Sequence, residues 1–235
     1  SLAALYAKVN HTEPPVLRAL VQGSAPRLKP VRAAVGQRES LPGWSLRMVD
    51  GNHLPGSEKR QAPLRSERGE RGATGPTLVV YDPDAGWVTD LVACEDAYES
   101  ERTAAATLVA GARPGELWIA DRHFCTRTLL QGWEEAKACF IVREPRRPPK
   151  LEQEGVWEDA GACDTGLRQV QPIGLSANEL RKERIRLILP TPTESGETEI
   201  RLWTQLPGEV TAARMADLYR RRGRLEGPFG RIEPV

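Results

Sequence analysis

Lysine is scarce in this chain of 235 residues: Lys8, Lys29, Lys59, Lys137, Lys150 and Lys182 are six against 27 Arg. Cysteine is scarcer still, with Cys94, Cys125, Cys139 and Cys163 far apart and no CxxC pair. A disulfide framework and a four-cysteine zinc site are therefore not expected, and the thiols read as those of a reducing, cytoplasmic compartment. His123 and Cys125 could be two ligands of a metal, but no second pair accompanies them, so packing is the expected role. No window approaches about 18 uninterrupted apolar residues, so no membrane span is expected. The stretch GNHLPGSEK (51–59) lacks the Gly-Lys-Ser/Thr of a phosphate-binding P-loop. The start, SLAALYAKVNHTEPP, lacks the basic-then-apolar layout of a signal peptide, and opening on Ser it is read as missing its natural N-terminus.

Hydrophobic residues make up 40% of the chain, with 21 Gly and 19 Pro, a composition that suits a globular protein rather than a disordered or fibrous one. The length fits one large domain or two small ones. Net charge is +1, so any nucleic-acid role must rest on clustered rather than total charge. The arginine excess suits phosphate contact, although a GC-rich genome would produce it too.

Apolar spacing predicts two short helices within residues 1–22, then a basic connector over 23–42 punctuated by Pro and Gly. Strands are expected at 44–50, 77–81 and 87–92, the last two joined by the hairpin signal DPDAG (82–86). A helix follows at 97–110. LWIAD (117–121) and 138–142 read as strands buried on both faces, with a helix from Phe124 to Lys137 between them. Further strands are expected at 168–173, 185–189 and 199–206, and a last helix at 209–226. This pattern predicts a mixed α/β sheet with helices on its faces.

Three carboxylates stand out. Trp44, Leu46, Met48 and Asp50 share one strand face, and Leu117, Ile119 and Asp121 share another, because side chains alternate with period two. Both acids then close an apolar face at the carboxyl end of a strand, where ligands of open α/β sheets bind. On the last helix Tyr219, Arg222 and Glu226 fall at i, i+3 and i+7, which is one face. Three converging carboxylates repel unless cations neutralise them, which suits Mg²⁺ (or Mn²⁺) as a pair of ions serving phosphodiester chemistry. Taken singly, an Asp that ends a strand is equally a turn former.

The stretches VDGNHLPGSEKR (49–60), LWIADRHFCT (117–126) and ADLYRRRGRLEG (216–227) resemble, in order, the signature blocks of bacterial insertion-sequence transposases of the DDE type. The group is the one whose last block spaces Tyr, Arg, Glu and Lys as Tyr219, Arg222 and Glu226 are spaced here. The resemblance implies a ribonuclease H-like fold, with Asp50, Asp121 and Glu226 as the catalytic, metal-binding triad. It implies an N-terminal helical segment and connector (1–42), a first part of the core (43–142), a β-rich insertion (143–209), and the last catalytic helix with the C-terminus (210–235). The implied activity is nicking at a transposon end followed by strand transfer, on double-stranded DNA, by a homodimer assembled on that DNA. Tyr219 and Arg222 would contact DNA near the transposon end. Beside these, Arg220 belongs to the arginine run of the helix. Arg143, Arg146 and Arg147 read either as a DNA backbone track or as a solvated loop. Trp157 reads as a base-stacking platform or as a packed ring, and His53 as a phosphate contact or a loop residue. The family's Lys falls at Glu233, and Gly227, Pro228 and Gly230 break the helix, so a truncated core with weak or absent nicking is expected. A non-catalytic DNA-binding or inhibitory remnant, or another ribonuclease H-like nuclease, are the alternatives.

Overall fold

The computed structural model describes residues 13–36, 39–53, 76–93, 101–163, 166–176, 182–193 and 196–222. They fall into two compact units, Ser1–Glu39 with Arg47–Ala112 and Ser40–Leu46 with Arg113–Val235.

In the first unit an antiparallel meander is formed by β1 (Ser45–His53), β2 (Pro76–Asp82) and β3 (Trp87–Ala93). The β2–β3 turn is made by Asp82, whose Oδ1 accepts from the N–H groups of Asp84 at 3.0 Å and Ala85 at 2.8 Å. Gly86 completes it at φ +79°, a conformation in which a Cβ is strained. Arg47 anchors the same turn through Asp82 Oδ2 at 3.0 Å. Two helices pack on this meander, α1 (Pro14–Val35) on β3 and α2 (Glu101–Val109) on β2 and β3.

Helix α1 differs from the expected connector: it runs unbroken across residues 23–35, through Pro26 and Pro30. Each proline removes one N–H from the helical ladder. Its first half is tied to the meander, where Arg18 grips Asp90 of β3 with both Nε (2.9 Å) and Nη2 (2.8 Å).

The second unit holds most of the strands. β4 (Glu116–Ala120) and β5 (Cys139–Arg143) are parallel, joined by a 3-10 turn (Arg122–Phe124) and α3 (Arg127–Glu135). The sheet continues antiparallel from β5 to β10 (Glu199–Thr204), β9 (Lys182–Ile188), β8 (Gly166–Gly174) and β6 (Gln153–Glu154), with β7 (Glu158–Cys163) also paired to β8. The expected helix at 124–137 is thus shorter and starts at a cap, Thr126, whose hydroxyl accepts from the Leu129 N–H. It ends where Lys137 adopts φ +57° and the Ala138 N–H reaches back to Trp133 O at 2.9 Å. Helix α4 (Ala212–Arg220) packs against β5 and β8. A mixed sheet flanked by helices is the α/β class expected of a ribonuclease H-like chain.

Apolar residues of both faces of β4 and β5 are buried: Leu117, Ile119, Ala120, Phe140, Ile141 and Val142 are all at 0% exposure. Trp133 of α3 lies between them, 6.0 Å from Trp118 and 5.7 Å from Phe140, centroid to centroid. The outer strands are tied by a buried polar network. Glu144 accepts from Arg201 Nη1 at 3.4 Å and from the Trp203 indole, and forms an ion pair with Arg184, whose Nε lies 2.7 Å away. Arg184 lies 5.7 Å over the Trp203 ring.

Gly166, at φ +124°, opens β8 against β9; a Cβ there would sit 1.9 Å from the carbonyl oxygen of Ile188. Because the obstacle is backbone, nothing can rotate aside. Gly166→Ala is expected to cost about 3 kcal/mol or more in a urea unfolding curve. A loss under about 1 kcal/mol would show that the β8–β9 edge yields freely.

Candidate active site around Asp121

Asp121 follows β4 directly, and the parallel register that sets Ala120 beside Val142 sets it beside Arg143 at the end of β5. Its Oδ1 caps the following 3-10 turn, accepting from the His123 N–H at 2.7 Å. Its Oδ2 faces His123 Nδ1 at 3.6 Å and Arg222 Nη2 at 3.9 Å. The carboxylate is half-buried, so it is both held and reachable.

Helix α4 brings the other signature residues to this point. Thr211 caps its start, accepting from the Arg214 N–H, and Met215 and Leu218 bury its inner face. Asp217 then gathers three guanidiniums, of Arg214 (3.3 Å), Arg220 (3.1 Å) and Arg221 (3.4 Å). Burial pushes the Asp217 carboxyl up, but the surrounding arginines outweigh it and hold it below its ordinary value. Arg214 and Arg221 also bond Ser40, through its carbonyl and hydroxyl oxygens. Among the described residues of the run, Arg222 is the one within ion-pair distance of Asp121.

Tyr219 sits within one electrostatic cluster. Burial pushes its hydroxyl above the ordinary value of 10, with Asp121 adding to the rise and Arg222, Arg143 and Arg122 opposing it. At neutral pH the phenol is therefore protonated and able to donate a hydrogen bond. Asp121, Arg222, Arg143 and Arg122 thus all act electrostatically on one phenol near the carboxyl ends of two parallel strands. Arg143 and Arg122 are further bridged by Glu197, which accepts from Arg143 Nη2 and lies 3.6 Å from Arg122 Nη2. Arg122 and Glu197 escape a reading of spacing alone. Arg122 adjoins Asp121 in the chain, whereas Glu197 reaches the cluster only because β10 pairs with β5.

The remaining expected residues are distributed as follows. Asp50 lies in β1 of the first unit, paired with Val79, and its Oδ1 accepts from the Gly51 N–H at 3.1 Å. Leu46 and Met48 of its strand face are buried, as period two requires, and so is Val49 of the other face. Glu226, Glu233 and the His53 side chain lie outside the described residues. Arg146 and Arg147 are exposed on the segment after β5. Trp157, half-buried between β6 and β7, lies 6.0 Å beneath the Arg186 guanidinium. Cys125 and Cys139 are buried and free. Burial raises both thiols, Cys139 to about 11, which makes them packing groups rather than nucleophiles.

The family model described as "Transposase DDE domain" matches residues 45–234. The chain belongs to this family. Its matched region takes in the Asp121 cluster, Asp50 and the whole signature helix. No curated protein matches the chain in sequence. Among solved structures, the DDE domain is similar to the piggyBac transposase in a cryo-EM synaptic complex with hairpin DNA. The TM-score is 0.45 at 8% identity, over 77% of this chain and 38% of that one. No helix among the described residues is long and apolar enough to cross a membrane.

Proposed function

We propose that the chain is the catalytic core of a DDE transposase of the bacterial insertion-sequence group with the Tyr-Arg-Glu-Lys signature, acting as a homodimer on double-stranded DNA. The observation that carries this reading is the approach of Arg222 to Asp121 at the end of β4, with Nη2 3.9 Å from Oδ2. Residues 143–209 are then the β-rich insertion, and 210–235 the last catalytic helix and C-terminus.

Asp50, Asp121 and Glu226 would hold two Mg²⁺ or Mn²⁺ ions. The donor set fits: an all-carboxylate set suits hard, oxygen-seeking cations, and Asp121 presents one oxygen engaged by a backbone N–H and a second facing the site. Among the described residues, which exclude Glu226, no three His, Cys, Asp or Glu are grouped to hold a metal. When bound, such ions activate an attacking oxygen and stabilise the leaving one. The protein's own groups do the positioning. Arg222, Arg143 and Arg122 attract the phosphodiester into the cluster, and the Tyr219 hydroxyl donates to a phosphate oxygen. Asp121, fixed by its cap, keeps its carboxylate from rotating away. Water and a DNA 3′-hydroxyl can in turn attack phosphorus in line, giving first nicking and then strand transfer.

DNA binding tests this reading. Affinity for a duplex carrying the flanks of the encoding gene, followed by fluorescence anisotropy, should fall steeply with salt. The slope of log K against log salt is expected near −0.9 per phosphate neutralised, and Arg222→Ala should flatten it by about one phosphate. Binding that ignores salt, or none at low salt, would sink the DNA reading.

A further inference from the structure

Among the described residues, Glu197 is the acidic side chain that bridges Arg122 and Arg143. It lies in the β9–β10 connection, outside the helices and strands that build the site. We propose that its carboxylate is an internal stand-in for a phosphate: it occupies the seat between Arg143 and Arg122 that a DNA backbone phosphate takes on binding, and DNA displaces it. This rests on the DNA reading above and adds to it a residue that gates the site.

The chemistry of the seat is that of a phosphate clamp. Two guanidiniums, from the ends of neighbouring parallel strands, converge on the two oxygens of one carboxylate, Arg143 on Oε2 and Arg122 on Oε1. Carboxylate and phosphodiester compete for the same planar donors. Arg122 follows Asp121 directly in the chain and Arg143 lies beside it in the β4–β5 register, so the seat adjoins Asp121. Displacing Glu197 would leave three guanidiniums against the single carboxylate of Asp121, turned toward the DNA.

The bridge is not needed to hold the strands. Arg143 is fixed in the backbone by pairing with Leu202, and the next residue donates its N–H to Arg201 O at 2.8 Å. The Glu197 turn is held by its own bonds, Gly196 N to Thr193 O at 2.8 Å, Glu197 N to Thr193 Oγ1 at 3.1 Å and Leu189 N to Thr198 O at 2.9 Å. Rotation of one side chain therefore suffices for exchange. Exposure agrees: the Glu197 side chain is 32% exposed, against 6% for Glu144, which serves the buried network one residue beyond Arg143. The first carboxylate is placed to leave, the second to stay.

The test compares wild type with Glu197→Gln, which keeps shape and removes charge, and with Glu197→Asp, which keeps charge. Duplex DNA is titrated by anisotropy across a salt series, and inorganic pyrophosphate by calorimetry. The Gln variant should bind duplex roughly threefold to tenfold more tightly near 0.1 M salt, with a slope steeper by about 0.9, because its arginines no longer exchange one anion for another. The Asp variant should stay close to wild type, and all three should melt together. Salt-dependent duplex binding that Glu197→Gln leaves equal or weaker, at unchanged slope, would overturn the proposal while the DNA reading stands. If no variant binds duplex but Glu197→Gln gains pyrophosphate affinity, the seat is upheld and DNA is excluded as its source. No gain toward either ligand overturns it outright.

Discussion

Asp121→Asn is expected to abolish metal-dependent nicking while leaving DNA binding intact. The change removes one charge and almost no volume. The remaining carbonyl oxygen can still accept from the His123 N–H that Oδ1 holds at 2.7 Å, so the 3-10 turn survives. What is lost is the anionic oxygen facing the site, beside Arg222 at 3.9 Å. A neutral amide is a poor ligand for a hard cation, and nicking of a supercoiled plasmid carrying the gene's flanks should fall by at least roughly a thousandfold. Duplex affinity should hold or rise, since a negative charge has left a cluster of Arg222, Arg143 and Arg122. Chelation of Mg²⁺ should reproduce the loss in the wild type. A variant that nicks at the wild-type rate would remove Asp121 from the chemistry. A wild type that fails to nick while binding the same DNA would favour the non-catalytic remnant.

How much of this could be read from residues alone follows from the range of the interactions involved. Asp121 is legible because two local signals coincide, a short apolar run and a carboxylate at its end. Tyr219 and Arg222 are legible because helical spacing puts them on one face, Tyr219 in a helix with a strong cap and apolar stripe and Arg222 just past its end. The DPDAG hairpin declares itself through turn chemistry. Helix α1 misleads for the opposite reason: Pro26 and Pro30 are local breakers, yet the helix runs through both, and the Arg18–Asp90 pair that ties its first half to β3 joins residues far apart in the chain. Glu197 carries no local signature at all. It reaches Arg143 and Arg122 through the antiparallel pairing of β10 with β5, and strand order is not contained in any one window of sequence. The Glu144 network is hidden in the same way, since its partners Arg184, Arg201 and Trp203 come from two other strands.

Trp133→Ala should be the most damaging single truncation in the second unit, costing about 3–5 kcal/mol. Trp133 is 1% exposed and is among the largest fully buried side chains. It projects from α3 between the rings of Trp118 on β4 and Phe140 on β5, so both parallel strands lose a partner at once. Alanine leaves a void that the backbone cannot close, because α3 is fixed at both ends by the Thr126 cap and the Lys137 turn. Trp133→Phe keeps an aromatic in the gap and should lose much less. The consequence extends to function through geometry. Asp121 and Arg143 are the residues that follow or end β4 and β5, and their register depends on those two strands staying packed. The alanine variant should therefore lower the urea midpoint sharply and weaken nicking even under conditions where the chain is still mostly folded. A cost below about 1 kcal/mol would mean that the β4–α3–β5 unit is held by its backbone pairing rather than by this aromatic core.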